Sequence, residues 1–257
     1  MTSRPGSAVP TGATMLRPRT EQAERPDELR RFTVAERWVH RTTSTLMIVA
    51  ILSAAFLYLP QLAEIVGRRR LLVTVHEWSG VLLPLPLAVG LGFRSVRADL
   101  RRLNRFRPED RGWAWRAVRH GTRRAGPAGK FNAGQKLYAA FIAGATLVMV
   151  GTGLVLWFPH LAALDVRTGA TFVHDWLALV IGVLVLGHIR MAFKDPEARH
   201  GMRTGWVGRA WARREHPLWA REETTPEEPA APDDPGPDKT GPAGADPADT
   251  TPPGDRN

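Results

Sequence analysis

The stretch Thr171–Phe193, TFVHDWLALVIGVLVLGHIRMAF, constrains this chain more than any other. It is long and apolar enough to cross a bilayer as a helix, yet it carries His174 near one end and His188 near the other. Their separation is almost four whole helical turns. Both imidazoles therefore leave one face, about 21 Å apart along the axis. The hydrocarbon core of a bilayer is only ~30 Å thick, so the two histidines sit at two depths. Two ligands on one face at two depths predict two cofactors stacked across a membrane.

Three more apolar runs accompany it, at Trp38–Leu59, Leu71–Phe93 and Leu137–Phe158. The first lies too far along the chain, and lacks the small-residue cleavage site, to read as a secretory signal. The second holds His76 and Glu77 near its start and Pro84 and Pro86 further on; membrane helices tolerate such prolines. The third carries no charge. The expected fold class is all-α, an integral membrane four-helix bundle. Residues 1–30, rich in Pro, Thr, Arg and Glu, read as a disordered tail, 31–222 as the transmembrane domain, and 223–257 as a disordered Pro/Asp/Thr-rich tail. Between the runs, 94–136 reads as a polar loop, and 205–222 as a short surface helix.

Charge orients the bundle. Of the 35 lysines and arginines, eight precede Thr42, thirteen fall in 94–136 and ten follow Ile189, leaving four for the connections 60–75 and 159–175. By the positive-inside rule both termini and the middle loop are cytoplasmic. The net charge of +10 does not imply a nucleic-acid partner, because no helix-turn-helix, zinc-ligand or RNA-binding signature accompanies it. The partner implied is membrane lipid. Trp38, Trp78, Trp157 and Trp176 near the span ends suit an interfacial aromatic belt.

Topology gives each histidine a depth. His40 and His188 fall near the inner face, His76 and His174 near the outer face. A six-coordinate b-type haem needs two histidines facing each other across a bundle interior, so the pattern predicts two b haems, ligated by His40/His188 and His76/His174. The chain has no cysteine, which excludes thiolate-ligated clusters and covalently attached C-x-x-C-H haem. Arg41, Glu77, Asp175 and Arg190 lie within two residues of these histidines and either serve the cofactors or snorkel to the interface. Gly80, Ala178 and Gly182 would let a porphyrin lie close, and Ala140/Gly144 suggest helix packing. His120, His160, His200 and His216 read as surface residues.

The motifs E-R-W-V-H-R at 36–41, H-E-W-S-G at 76–80, G-K-F-N-A-G-Q-K at 129–136, M-A-F at 191–193 and H-P-L-W-A-R-E at 216–222 resemble the gamma, or cytochrome b, subunit of membrane-bound formate dehydrogenases. The resemblance covers about 32–222. It implies a subunit of the bacterial cytoplasmic membrane that carries two b haems. Electrons would arrive from an iron–sulfur (beta) subunit outside, itself served by a molybdopterin catalytic (alpha) subunit, and leave to menaquinone or ubiquinone on the cytoplasmic side. Such a chain contributes quinone reduction and not formate oxidation. The resemblance also implies a quinone site at Asn132 and Gly134, where an Asn amide can donate to a carbonyl and Gly allows close approach. Taken without the resemblance, Asn-Ala-Gly-Gln reads as a helix-entry turn with Asn132 as its N-cap. Related bundles serve thiosulfate reductases and hydrogenases, and a scaffold or transporter without redox activity is the reading from another class.

Overall fold

The computed structural model describes residues 25–121 and 125–224. Four of its helices are long and apolar enough to cross a membrane: Val34–Tyr58, Arg69–Gly90, Ala133–Trp157 and Leu164–Lys194, with mean hydropathies of 1.4, 1.4, 2.1 and 2.0. The all-α membrane fold is borne out. Each span starts earlier than its apolar run because a polar turn leads it in. Thr33 and Glu36 cap the first span reciprocally, and Asn132 and Gln135 do the same for the third. Asp165 stands in the first turn of the fourth span, where the helix dipole favours an acid.

The second span is two helices, Arg69–Leu82 and Leu85–Gly90. Pro84 has no N–H and its ring crowds the preceding turn, so the helix breaks there, and Leu83 N–H turns to the Gly80 carbonyl at 3.2 Å. Pro86 sits at the start of the next piece, where a missing N–H costs nothing. Gly90 lets this piece approach the first span: a Cβ there would stand 2.6 Å from Val39 Cγ2.

The spans meet in an apolar layer of Met47, Leu83, Ala145 and Ile181, one residue from each. Ile181 is seven residues from both His174 and His188, so this layer lies midway between the two histidine depths. Ala140 and Gly144 do not pack helices together, contrary to expectation. Both are exposed, and a Cβ on Gly144 would meet nothing within 4 Å.

Outside the spans the structure differs from the sequence reading in three places. The tail expected over 1–30 ends earlier: Glu28–Arg30 (β1) pairs antiparallel with Trp206–Gly208 (β2), Leu29 opposite Val207. Residues 1–24 and 225–257, which hold the rest of both expected tails, lie outside the described residues, while Glu223 and Thr224 close a helix. The 94–136 segment is no plain loop but contains helices at Arg94–Asn104 and Trp113–His120. Lys136 Nζ ties it to the third span, donating to Asp110 Oδ2 at 2.6 Å and to the Arg105 carbonyl at 3.0 Å.

The expected surface helix over 205–222 is instead β2 followed by two helices, Arg209–Glu215 and Pro217–Thr224, split where Pro217 cannot continue the first. Trp211 and Trp219 are buried with Leu29, Val207, Ala212 and Ala220. The Arg31 guanidinium lies between the two indoles, 4.7 Å and 5.7 Å from their ring centres. His216, expected on the surface, is buried: Nδ1 donates to the Gly129 carbonyl at 2.7 Å and Nε2 accepts from Arg31 at 3.0 Å. This clamp, with the Arg31 bond to the Lys130 carbonyl at 3.0 Å, fixes the chain just ahead of Asn132.

Burial, and then the Arg31 charge, push the His216 imidazole down to about 3. In the unfolded chain it takes a proton near pH 6.5, so native stability is full above that pH and falls as pH drops toward 3. Between pH 7 and pH 5 the loss is on the order of 2 kcal/mol. Thermal melting in detergent is expected to fall over this interval, and His216→Gln, which donates and accepts but does not titrate, to flatten the dependence. The difference between the two profiles isolates His216.

Candidate functional site

Four histidines converge in two pairs. His40 of the first span faces His188 of the fourth, with ring centres 6.3 Å apart and planes at 50°. His76 of the second span faces His174 of the fourth at 6.2 Å and 73°. Two imidazoles on one iron need ring centres about 6.2 Å apart, from metal–nitrogen bonds of ~2.0 Å and a further ~1.1 Å from nitrogen to ring centre. Both spacings match. Among the described residues no three His, Cys, Asp or Glu side chains gather as a metal site. A two-imidazole set suits an iron whose other ligands come from a macrocycle.

The Nδ1 atoms of the His76/His174 pair are already engaged. His76 Nδ1 lies 3.1 Å from the Ala50 carbonyl and 3.1 Å from Ser53 Oγ. A carbonyl only accepts, so Nδ1 carries the proton and Nε2 keeps its lone pair. Thr152 Oγ1 donates to the Val148 carbonyl at 2.8 Å and accepts from His174 Nδ1 at 2.9 Å. Such partners fix tautomer and ring direction in metal-binding histidines. Gly153 allows the His174 ring to approach, since a Cβ there would stand 3.4 Å from His174 Cε1. In the His40/His188 pair, the Tyr138 ring stacks on His188 at 5.0 Å and 11°.

Ser53, Thr152, Gly153 and Tyr138 all escaped the sequence reading. The hydroxyls carried a signal: Ser53 and Thr152 are polar residues inside apolar runs, at the depth assigned to His76 and His174. A Cβ on Gly80 or Gly182 would meet nothing within 4 Å, so both positions leave room beside the pairs. Arg41 donates to the Arg203 carbonyl at 2.9 Å and so holds the Pro196–Thr204 helix against the first span. Asp175 and Arg190 are exposed, and Glu77 is half-buried. His120 and His160 are exposed and His200 is half-buried, at the protein surface as expected.

Asn132 caps the third span: its Oδ1 accepts from Gln135 N–H at 2.9 Å, and Gln135 Oε1 accepts from Asn132 N–H at 2.9 Å. The cap uses the amide oxygen and leaves the NH₂ group to donate. Gly134 lies under the Trp113 indole, where a Cβ would collide with the ring (2.9 Å to Cζ3). Asn132 precedes Tyr138 by six residues, about 9 Å of helix rise, so the capped end stands close to the His40/His188 pair.

The sequence pattern of the prokaryotic cytochrome b561 family matches residues 31–205, two thirds of the chain. The chain belongs to the prokaryotic cytochrome b561 family. Membership brings b-type haem and electron transport, and with the four apolar helices makes this an integral membrane protein. This cytochrome b561-family chain is 30% identical over 208 residues to the formate dehydrogenase cytochrome b556(fdo) subunit of Escherichia coli (strain K12), covering 77% of this chain and 95% of that subunit. It is 27% identical over 170 residues to the formate dehydrogenase cytochrome b556 subunit of Haemophilus influenzae, covering 63% and 68%. The nitrate-inducible cytochrome b556(Fdn) subunit of Escherichia coli (strain K12) matches at 34% over 97 residues, covering 37% and 45%. The resemblance read from the motifs is borne out.

Proposed function

We propose that this chain is the dihaem cytochrome b subunit of a formate dehydrogenase in the bacterial cytoplasmic membrane, with both termini cytoplasmic. The observation that carries the reading is the pair of imidazole couples at 6.3 Å and 6.2 Å, at two depths on one helix. His40 and His188 hold the inner haem, and His76 and His174 the outer one. The haems, when bound, relay electrons from an iron–sulfur subunit outside to menaquinone or ubiquinone at the cytoplasmic side. The names of the relatives, formate dehydrogenase cytochrome b556 subunits, support a formate dehydrogenase as the complex served; in this reading its iron–sulfur (beta) and molybdopterin (alpha) subunits are the partners.

The protein's own part is placement. Ser53, the Ala50 carbonyl and Thr152 aim the outer imidazoles, and Tyr138 steadies His188. At the cytoplasmic end of the third span the Asn132 amide NH₂ donates to a quinone carbonyl, and the Trp113 indole, which Gly134 admits by lacking a Cβ, walls the site. Asn132→Ala in the intact complex is expected to cut quinone reduction at least tenfold, while formate still reduces both haems. Asn132→Asp, which caps the helix equally well but loses the amide donor, separates the two roles. Quinone turnover at the wild-type rate in both variants would overturn the site.

A further inference from the structure

Behind Asn132 lies a buried charge cluster that the electron path does not use. Lys130 Nζ donates to Asp99 Oδ1 and Oδ2 at 2.7 Å and 2.6 Å and to Glu36 Oε1 at 3.3 Å. The three side chains are only 6%, 10% and 9% exposed. Two carboxylates on one ammonium is a costly arrangement to bury, and the helix cap uses only Oε2 of Glu36, leaving Asp99 and Lys130 outside it. The cluster borders a cavity of about 170 Å³, lined also by Thr33, Ser95, Arg102 and Glu223. Arg102 and Glu223 are exposed and mark its solvent side, and at roughly 30 Å³ per molecule it has room for several waters.

The cluster's position is what gives it a role. Lys130 and Asn132 are two residues apart, no more than about 7.6 Å between Cα atoms. Glu36 precedes His40 by one helical turn, about 6 Å of rise. Reducing a quinone to a quinol takes two electrons and two protons, and both carbonyl oxygens become hydroxyls. We propose that Asp99, Lys130 and Glu36 form the relay that carries those two protons from water in the cavity to quinone at Asn132. This rests on the quinone reading above. Each proton leaving a carboxyl for a quinone oxygen is replaced from the cavity, so the cluster returns to its starting charge after each quinol.

Asp99 is tuned for this task. Burial raises it to about 6, with Glu36 adding to the shift and Lys130 opposing it. The charged groups facing it are Glu36 from the first span, Lys130 from the segment before the third, Arg102 on its own helix and buried Arg31 beyond β1. Proton supply is therefore favoured as pH falls through 6.

The test uses the full-length cytochrome, reduced with dithionite, with menadione as the quinone and the haem α band followed by stopped flow. Asp99→Asn and Glu36→Gln are expected to slow reoxidation at least tenfold at saturating menadione, with unchanged half-saturation and haem spectrum. Asp99→Asn should also lose the rise in rate below pH 6, and Asp99→Glu should restore it. Wild-type rates and pH profile in both variants, where Asn132→Ala stops reoxidation, overturn the relay and leave the quinone site standing. Wild-type rates in all three overturn both. A structural measurement covers the case of poor folding: in the wild type, the infrared band of a protonated buried carboxyl should titrate near pH 6, and its absence overturns the relay.

Discussion

His174→Ala is expected to leave this protein with one haem where the proposed dihaem reading gives the wild type two. The variant removes one imidazole of the His76/His174 pair and leaves His76, held by Ala50 and Ser53, with no partner across the bundle. The inner pair is untouched. It lies about 21 Å further along the fourth span, and the apolar layer of Met47, Leu83, Ala145 and Ile181 separates the two levels. Pyridine haemochrome analysis of the purified chain is expected to give two haems for the wild type and one for the variant. His188→Ala should give one haem as well, with the complementary spectrum and potential. Two haems retained in His174→Ala would overturn the ligand assignment.

Lys130→Met is expected to destabilise the protein by about 3–5 kcal/mol, the cost of breaking a buried ion pair from one side. The ammonium is the cation shared by Asp99 and Glu36, and it also faces the rings of Phe32 and Phe131 at 5.1 Å and 5.7 Å. Methionine fills the volume and leaves two buried carboxylates facing each other. Melting in detergent at pH 7 should fall sharply. Because Lys130 holds the Asp99 carboxyl down, its loss lets that carboxyl take a proton at higher pH than in the wild type, and part of the lost stability should return as pH falls. Lys130→Met combined with Asp99→Asn leaves only Glu36 charged and should recover stability beyond the sum of the single effects. A melting point within a degree or two of wild type for Lys130→Met would show that the cluster carries no such energy.

Much of the membrane architecture was legible in the residues themselves. A span needs only some twenty apolar positions in a row, and hydropathy is a local sum that no distant contact alters. The spacing of His174 and His188 on one face follows equally from helix geometry. Membership of the cytochrome b family was also readable, because its motifs are short and contiguous. The polar ends were less legible. Whether Asn132 caps a helix depends on its Oδ1 accepting from the Gln135 N–H, which the tetrapeptide suggests but does not compel.

What only the tertiary structure decided are contacts between distant parts of the chain. Arg31 and His216 are 185 positions apart, and nothing in H-P-L-W-A-R-E shows that its histidine accepts from an arginine beside the first span. The stretch 205–222 reads as a surface helix because it is basic and carries tryptophans. Those tryptophans are buried against Leu29 and around the Arg31 guanidinium, an apolar surface supplied by a segment that reads as tail. The same holds for Ser53 beside His76, Thr152 beside His174 and Tyr138 on His188. Local composition determines which segments enter the membrane and at what depth each side chain lies. Rotation of one helix about its axis relative to another does not follow from composition, since it depends on packing across all four spans at once, and it decides which side chains meet.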